Sequence, residues 1–320
     1  MAVSTVLGQV EVVDLGPVLP HEHLFINLMP ERRSDGLIVD EQLVIDELAT
    51  FSAQGGRTIV DLSSNDLTSG STLQSAQTGG TTRDPANVQA AVRVSEMSGL
   101  HVVLGTGHYR DPYLNVEYID SHTVDEIAED LVRDLEIGFP GTNVQAGVIG
   151  EVGSDKWFIS AREERSFRAA ARASNRTNAG IYTHAARWPV GLAQLDLLEQ
   201  EGAQPSRIAV GHVDTVASQD YATSLAARGT YLGIDTMYET TPRAVEQRLE
   251  LVMSLVEAGY ADRVLLSHDV CVMSQLTAGG GPGFGHVLGA FRSRLLETGL
   301  ESELIELMTI TNPARFLSGH

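Results

Sequence analysis

The sequence predicts an α/β protein with the fold of a (β/α)8 TIM barrel. Eight short apolar runs, rich in Val, Ile, Leu or Gly, recur along the 320 residues, and polar residues close each run. Such runs are typical of strands buried on both faces. Longer amphipathic segments separate them, so parallel strands joined by right-handed crossovers are expected. The length suits a barrel of about 250 residues with added active-site loops.

A doubly wound open sheet is the rival architecture. The first strand is followed by neither a G-x-G-x-x-G motif nor a P-loop, which removes the usual support for that alternative. The predicted strands are Val18–Phe25, Arg57–Ser63, His101–Tyr109, Ala146–Gly153, Ile181–Ala186, Arg207–Asp214, Tyr231–Met237 and Arg263–Asp269. The predicted helices are Asp40–Ala53, Pro85–Ser98, Val124–Ile137, Ser160–Asn178, Val190–Glu201, Ser218–Arg228, Pro242–Ala258, Phe284–Thr298 and Glu301–Met308.

No linker or shift in composition divides the chain, so residues 1–320 are expected to form a single domain. The Gly/Ser/Thr-rich stretch Asn65–Arg83 is interpreted as a long loop after the second strand that could act as a lid, with disorder as the alternative. The segment Cys271–Gly285 follows the eighth strand and contains the glycine-rich run Gly279–Gly283. A mobile loop at the barrel mouth is expected there, rather than a loop that cradles phosphate.

The composition restricts the partners that the protein can have. A formal net charge of −20 argues against binding nucleic acid or an acidic membrane surface, although a small anionic substrate needs only one or two local arginines. The sequence has no apolar run long enough to span a bilayer and no signal-peptide features at Met1. Cys271 is the only cysteine, which excludes an intramolecular disulfide. A cytoplasmic protein acting on a small molecule is expected, and homodimerisation is left open.

The first predicted strand ends on two histidines, His21 and His23. Side chains alternate between the faces of a strand, so residues i and i+2 point the same way. The two imidazoles would therefore lie side by side, as ligands of zinc and neighbouring metals do. The pair alone is also compatible with two hydrogen-bonded structural histidines.

Imidazoles and carboxylates end four further predicted strands. In a barrel, catalytic groups collect at the C-terminal ends of the strands. One such residue would be explained by a structural hydrogen bond or an ion pair. Five strands that deliver these groups to one end serve no packing purpose, and they predict a metal site. The residues are His21, His23, Glu151, His184, His212 and either His268 or Asp269.

The number of candidate ligands predicts two divalent ions. Four histidines and two carboxylates exceed the needs of one tetrahedral zinc with an open position. Six ligands suit two metals about 3.5–4 Å apart, bridged by a carboxylate and a hydroxide. Zn²⁺ is the first expectation, with Mn²⁺, Co²⁺ or Fe²⁺ as alternatives. His268 and Asp269 face opposite sides of the strand, and spacing does not choose between them, although Asp269 could accept the proton of the attacking water.

These motifs resemble those of the phosphotriesterase family in the amidohydrolase superfamily, along nearly the whole chain. His21-Glu22-His23 is similar to the family's strand-one motif, and the segment 311–317 is similar to its C-terminal closing segment. The resemblance implies Asp269, rather than His268, as the strand-eight ligand. It also implies the assignment of the metals: His21, His23 and Asp269 would hold the buried metal, while His184 and His212 would hold the more exposed one.

The sequence departs from the best-known members at two places. Those members bridge the metals with a carbamylated lysine, whereas this chain has Glu151 there and its only lysine, Lys156, five residues later. We interpret Glu151 as the bridge, as in a subset of the family, with carbamylated Lys156 as the alternative. Thr236 stands where phosphotriester-hydrolysing members are expected to have a relay histidine, which argues against efficient phosphotriester hydrolysis. Asp214 could support the ligands or form a salt bridge.

The resemblance implies a hydrolase in which a metal-bridging hydroxide attacks a small lactone or carboxylic ester. Hydrolysis of an N-acyl amide is the second interpretation, and phosphotriesterase (aryldialkylphosphatase-like) activity is the third. Only loop residues can select the substrate, and the candidates are Tyr109, Arg187 and Tyr238, with Arg110 and Trp188 beside them. Arg187 could bind a carboxylate or phosphate through both guanidinium nitrogens, or it could be an ordinary exposed arginine.

Two other classes of protein are weighed against the hydrolase. A non-catalytic binding protein on a degenerate barrel would lack a ligand, and no ligand is missing here. A metal-independent aldolase or isomerase would need a Schiff-base lysine or a phosphate-binding loop late in the barrel. A chain whose single lysine follows strand four offers little of either.

Overall fold

A computed structural model of the chain describes residues 1–75 and 81–319. Its central sheet has eight strands in sequential order, every neighbouring pair parallel, and the predicted TIM barrel is confirmed. Each strand lies within a predicted apolar run. The strands are β1 (Val18–Glu22), β2 (Thr58–Asp61), β3 (His101–Thr106), β4 (Val148–Gly153), β5 (Ile181–His184), β6 (Ile208–Gly211), β7 (Tyr231–Ile234) and β8 (Val264–Leu266).

The barrel is closed by contacts between β8 and β1. The N–H of Asp269 donates to the carbonyl of His21 (3.2 Å), and the N–H of His21 donates to the Ser267 hydroxyl (3.0 Å). The buried carboxylate of Glu22 accepts the backbone N–H groups of His268 (2.8 Å) and Val270 (3.0 Å). These bonds bring the end of β8 beside the His21/His23 pair.

Helices between the strands form the outer layer, and side-chain caps fix where several of them begin. Thr123 and Ser160 each form a capping box with a glutamate three residues later. The boundaries agree with the predictions within about two residues for the first seven helices. The helices of the outer layer and of the chain end are α1 (Glu41–Ala53), α2 (Pro85–Ser98), α3 (Val124–Glu136), α4 (Ala161–Thr177), α5 (Gly191–Gln200), α6 (Gln219–Ala227), α7 (Pro242–Glu257), α8 (Arg292–Glu297), α9 (Ser302–Glu306) and α10 (Asn312–Ser318).

The end of the chain departs from the sequence expectation. The helix predicted over Phe284–Thr298 is a π-helix over Val287–Phe291 followed by α8, and α9 continues into a second π-helix over Leu307–Thr311. The final helix α10 was not predicted. Hydrophobic periodicity indicates helix but does not distinguish α from π hydrogen bonding, because both expose a similar apolar face.

Several short elements were also missed. A two-stranded hairpin (Ala2–Thr5 with Gly8–Glu11) covers the N-terminal end of the barrel, where Val3 is buried. Strands of two to four residues carry too little periodicity to be recognised. The remaining short elements are the strand pair Ile26–Asn27 with Leu37–Ile38 and the helices Met29–Arg32, Asn65–Thr68 and Val116–Ser121.

The described helices include none that is both long enough and apolar enough to cross a membrane.

Hydrogen bonds fix parts of both long loops at the barrel mouth. In the Cys271–Gly285 segment, the buried Glu47 of α1 accepts the N–H groups of Thr277 and Ala278 (both 2.8 Å). Asp35 accepts the N–H of Ser274 (2.8 Å). Carboxylates occupy these backbone amides, so they are not free to cradle a phosphate.

The lid expected in the Asn65–Arg83 loop includes residues 76–80, which lie outside the described residues. The loop ends at Arg83, whose fully buried guanidinium donates to the carboxylate of Asp61 (2.8 Å), the carbonyl of Ser63 (2.6 Å) and Asn87 Oδ1 (2.8 Å). Arg83 therefore fixes the end of this loop against the end of β2.

Replacing Arg83 with methionine is expected to lower the free energy of unfolding by about 3–5 kcal/mol, because the Asp61 carboxylate would remain buried without its cation. Urea unfolding checks this value. Arg93→Met is the control, because it breaks a partly exposed pair with Glu41 whose loss is expected to cost about 1 kcal/mol or less. Equal losses in the two variants would show that the buried pair does not anchor the loop.

Candidate metal centre

The six predicted ligands meet at the C-terminal end of the barrel. His184 Nδ1 and His212 Nε2 lie 2.6 Å and 2.8 Å from Glu151 Oε1. His23 Nε2 lies 3.2 Å from Asp269 Oδ1, and His21 Nε2 lies between the two carboxylates, 3.6 Å from Glu151 and 3.7 Å from Asp269. The structure thus brings all six side chains into one continuous cluster.

The cluster contains two overlapping groups of three residues. Within each group, the ligand atoms all lie within 4.8 Å of one another. One group is His21, His23 and Asp269; the other is His21, Glu151 and His212. His184 joins the second group through Glu151 and His212, since its Nδ1 lies 2.9 Å from His212 Nε2. Each group has the nitrogen and oxygen donors that a divalent ion such as Zn²⁺ uses.

Three of the four histidines are oriented by a second partner behind them. Asp235 lies 2.8 Å from the Nδ1 of His21 and 2.9 Å from the Nδ1 of His212, and Ser63 Oγ lies 3.0 Å from the Nδ1 of His23. Each ring is thereby left with Nε2 facing the cluster. This arrangement is the usual one for metal-binding histidines, which hold their other ring nitrogen in a hydrogen bond.

Asp235 was missed by the sequence analysis as a functional residue. Its fully buried carboxylate contacts His21 and His212 and also accepts the hydroxyl of Tyr182 (2.8 Å). The signal was available, because Asp235 follows the apolar residues of β7 in the same way that Glu151 stands inside β4. An acid at the end of a buried strand needs a partner, and the two histidines supply it.

The electrostatics of the cluster favour a positive charge. Burial lowers the pKa of His21, but Glu151, Asp235 and Asp269 outweigh it and raise that pKa to about 9. The same acids raise the pKa of His212 against its burial, and the histidines hold the pKa of Glu151 well below its usual range although burial opposes them. A buried cluster with this many carboxylates attracts cations, and a divalent ion would balance its negative charge.

One ring nitrogen of the cluster has no described hydrogen-bond partner, which also fits a bound metal ion. His21 Nε2 is fully buried and has no hydrogen-bond partner among residues 1–75 and 81–319. A buried polar nitrogen without a partner is rare and calls for a ligand. Its position between Glu151 and Asp269 is where an ion could coordinate it.

Unusual backbone conformations place three of the donors. His212 and Asp269 have left-handed conformations, with φ of 60° and 56°, and the Gly150–Glu151 peptide is cis. Non-glycine residues with positive φ are uncommon, and they concentrate at functional sites. Gly150 itself is required by close packing, since a Cβ there would lie 2.6 Å from the carbonyl oxygen of Tyr182.

The alternative ligands lie elsewhere. His268 is buried away from the cluster, where its Nδ1 lies 2.7 Å from Glu22 and its Nε2 accepts the N–H of Val287 (2.9 Å). Lys156 is exposed on the loop after β4. Asp214 forms a buried salt bridge with Arg248 (2.7 Å) and accepts the Thr236 hydroxyl (2.5 Å), which supports the end of β7 rather than a ligand directly.

A cavity of about 550 Å³ opens above the cluster. It is lined by Tyr109, Arg187 and Tyr238, the three residues predicted to bind substrate, and also by His23 and Asp269. Arg110 lines it as well, whereas Trp188 is not among its described lining residues. The volume is typical of a small-molecule site, and its floor carries the ionisable groups.

The comparisons with known proteins agree with this geometry. The model of the phosphotriesterase family matches residues 1–317. The phosphotriesterase homology protein of Escherichia coli (strain K12) is 30% identical over 302 residues, covering 94% of this chain and 97% of the relative. The N-acetyltaurine hydrolase of Danio rerio is 27% identical, covering 99% of this chain and 97% of the relative.

Solved structures show the same fold. That of the Escherichia coli phosphotriesterase homology protein, with phosphate in its active site, superposes with a TM-score of 0.86 and 30% identity, covering 95% of this chain and 99% of that one. A lactonase from Listeria monocytogenes superposes with a TM-score of 0.86 at 23% identity over 100% of both chains, a likeness of fold alone. The chain belongs to the phosphotriesterase family and is a hydrolytic enzyme that acts on ester or amide bonds.

Proposed function

We propose that the protein uses two divalent metal ions to hydrolyse a small lactone or carboxylic ester. The observation that carries the proposal is the pair of overlapping donor groups, which share His21. Glu151 belongs to the second group and also contacts His184. One ion would be held by His21, His23 and Asp269. The other would be held by His184 and His212, with Glu151 between the two.

The metal ions, Zn²⁺ being the first candidate, would supply an acidified water and would polarise the carbonyl of the substrate. Mn²⁺, Co²⁺ and Fe²⁺ are compatible with the same imidazole and carboxylate donors. Glu151 is 1% exposed, and its Oε1 lies 2.6 Å and 2.8 Å from His184 and His212 of one group and 3.6 Å from His21 of the other, a position suited to a bridging ligand. Because Lys156 is exposed, Glu151 is the better supported bridge.

Asp269 is the residue proposed to move the proton. Its side chain is 14% exposed, the most accessible acid of the cluster, and it lines the cavity. A carboxylate there can accept the proton of the attacking water and return it to the leaving oxygen. Cys271 also lines the cavity, but burial raises the pKa of its thiol well above the usual value, so it is a poor nucleophile.

The chemistry of the leaving group ranks an ester before an amide. An alkoxide leaving group needs less help from an acid than an amine does. Burial raises the pKa of both Tyr109 and Tyr238, and nearby acids add to the effect, so both phenols stay protonated. The Tyr109 hydroxyl lies 3.2 Å from His184 Nδ1 and is placed to hydrogen-bond a substrate oxygen beside the cluster.

Amide hydrolysis is the second candidate because the N-acetyltaurine hydrolases are similar over nearly the whole chain. Phosphotriester hydrolysis is third. Thr236 donates to Asp214 and cannot provide the relay expected of a histidine at that position.

Arginines at the mouth of the cavity support a substrate that carries an anionic group. Arg110 is engaged by two carboxylates, Glu31 and Asp155. Arg32 and Arg187 line the same cavity, and the described ion pairs include neither of them. In a chain of net charge −20, two arginines at a cavity mouth that are absent from the described ion pairs are suited to bind a carboxylate, sulfonate or phosphate.

A substrate panel tests the proposal. Metal-loaded enzyme is expected to hydrolyse small lactones or esters with a higher kcat/KM than matched N-acyl amides, and phosphotriesters slowest. Arg187→Gln is expected to raise KM about tenfold for an anionic lactone and to leave a neutral one unchanged, because only the anionic group meets the guanidinium. Arg162→Gln, which removes an exposed arginine of α4 paired with Asp120, is the control.

Each outcome of the panel has one meaning. Amides hydrolysed faster than lactones would replace the first candidate by the second. Equal KM changes for anionic and neutral lactones would remove Arg187 from substrate recognition. No hydrolysis of any class by fully metal-loaded protein would favour a binding barrel.

A further inference from the structure

We propose that the N-terminal end of the barrel, opposite the metal centre, binds a small oxyanion such as phosphate. The site consists of Arg207, Arg263 and Arg315 around Tyr231, which line a cavity of about 230 Å³. Arg207 and Arg263 immediately precede β6 and β8, Tyr231 is the first residue of β7, and Arg315 lies on α10. Ligands bind at the other end in barrel enzymes, so this end is not part of the proposed active site.

Arg207 is a buried cation that forms no ion pair with any described residue. It is only 5% exposed, and it donates from Nε to the carbonyl of Asn178 (3.0 Å) and from Nη1 to the carbonyl of Phe316 (2.6 Å). Its Nη2 is buried and has no hydrogen-bond partner within residues 1–75 and 81–319. A buried charge is unfavourable unless an opposite charge meets it.

Within residues 1–75 and 81–319, no carboxylate forms an ion pair with Arg207. Burial lowers the pKa of Arg207 to about 10, and Tyr231 opposes the effect. Among the described residues that line the cavity, the acid is Asp262, whose oxygen lies 3.4 Å from Arg263 Nε. The described lining thus has three guanidinium groups and one carboxylate, within a chain whose net charge is −20.

Tyr231 lines the cavity together with the three arginines. The Arg263 guanidinium lies 5.5 Å from the centre of the Tyr231 ring. Burial raises the pKa of the Tyr231 phenol, and the positive charges of Arg263, Arg315 and Arg207 all oppose that rise. The phenol stays protonated, so its hydroxyl is a donor available to an oxyanion in the same cavity.

The size of the cavity limits the class of ligand. Its volume is below the roughly 300–1,000 Å³ of pockets for drug-sized ligands, so it suits a single small ion. Guanidinium groups match phosphate and sulfate because two parallel N–H donors reach two oxygens. The ligand would link the starts of β6, β7 and β8 to α10, so its role would be to stabilise the folded barrel.

Titration of the metal-loaded protein with inorganic phosphate tests the proposal. Binding to the folded state alone raises the unfolding temperature, by about 3–5 °C at a phosphate concentration near 100 times Kd. Arg315→Gln is expected to weaken phosphate binding at least tenfold and to remove most of this rise. Arg315 is exposed, so the variant should fold. Arg176→Gln, an exposed arginine of α4 paired with Glu129, is the control.

A second variant and a second readout separate this site from the metal centre. Arg207→Lys keeps the charge but not the paired donors, and it should also weaken phosphate binding. Phosphate held at the metal centre would inhibit hydrolysis and would bind wild type and Arg315→Gln equally. Equal rises in unfolding temperature for those two proteins, or no saturable binding by calorimetry, would overturn the proposal.

Discussion

Asp269→Asn is expected to lower kcat by about 10²–10⁴-fold. The substitution keeps the shape of the side chain and one ligating oxygen but removes the base that accepts the proton of the attacking water. Asp269 lines the cavity with its oxygen 3.2 Å from His23 Nε2, and no other carboxylate of the cluster is as accessible. Steady-state kinetics at saturating metal, with the bound metal counted, measures the effect.

The metal count separates the two roles that Asp269 could have. A loss of kcat with full metal content assigns the residue to proton transfer, whereas a loss that excess metal restores assigns it to metal binding alone. Asp196→Asn, which removes an exposed acid of α5 paired with Arg228, is the matched control and should behave as wild type. A near-normal kcat in Asp269→Asn would mean that another residue takes the proton.

Glu151→Gln is expected to lose both the metal ions and hydrolysis. The amide has the same shape but no charge, so the two imidazoles at 2.6 Å and 2.8 Å would face a neutral group. Changes to the outer partners of ligands already cost about 10–100-fold in metal affinity, and the loss of a charged ligand should exceed that. Elemental analysis after dialysis and an activity assay at micromolar enzyme measure the two effects.

Two features make this variant informative. Glu117→Gln, an exposed glutamate outside the cavity, controls for the loss of one negative charge. Circular dichroism of Glu151→Gln shows whether the barrel remains folded. A folded variant that retains metal and hydrolysis would remove Glu151 from the bridging position and reopen the question of what joins the two donor groups.

The sequence was sufficient to predict the barrel, because strands that are buried on both faces appear in it as short apolar runs. The runs around β1 to β8 are mostly apolar, and helices between them begin at recognisable caps such as Thr123 and Ser160. The six clustered side chains were found by the same reasoning, since a barrel sends every strand end to one place. Their roles as metal ligands stay predictions until ions are measured.

What the sequence could not show depends on pairings between distant residues. Nothing local to Arg83 indicates that it meets Asp61, and nothing local to Glu47 indicates that it holds the loop at Thr277. Asp235 illustrates the same limit: its strand position was visible, but its simultaneous contact with His21 and His212 follows only from the closed barrel.

Spacing alone did not separate His268 from Asp269, whereas the family resemblance favoured Asp269. Spacing placed both residues at the end of β8, and the structure shows Glu22 holding the His268 ring while Asp269, with positive φ, turns into the cluster. Adjacent residues there have different surroundings because the strand ends at Leu266 and its alternation of faces no longer applies.

The central claim is that Glu151 joins two metal-binding groups in one hydrolytic site. The most direct test compares wild type with Glu151→Gln after reconstitution with Zn²⁺. The metal ions per chain are counted, and the hydrolysis by wild type is measured before and after chelation. Two ions per chain and loss of hydrolysis on chelation are expected. Fewer than about one ion per chain, with hydrolysis unchanged by the chelator, would contradict the claim.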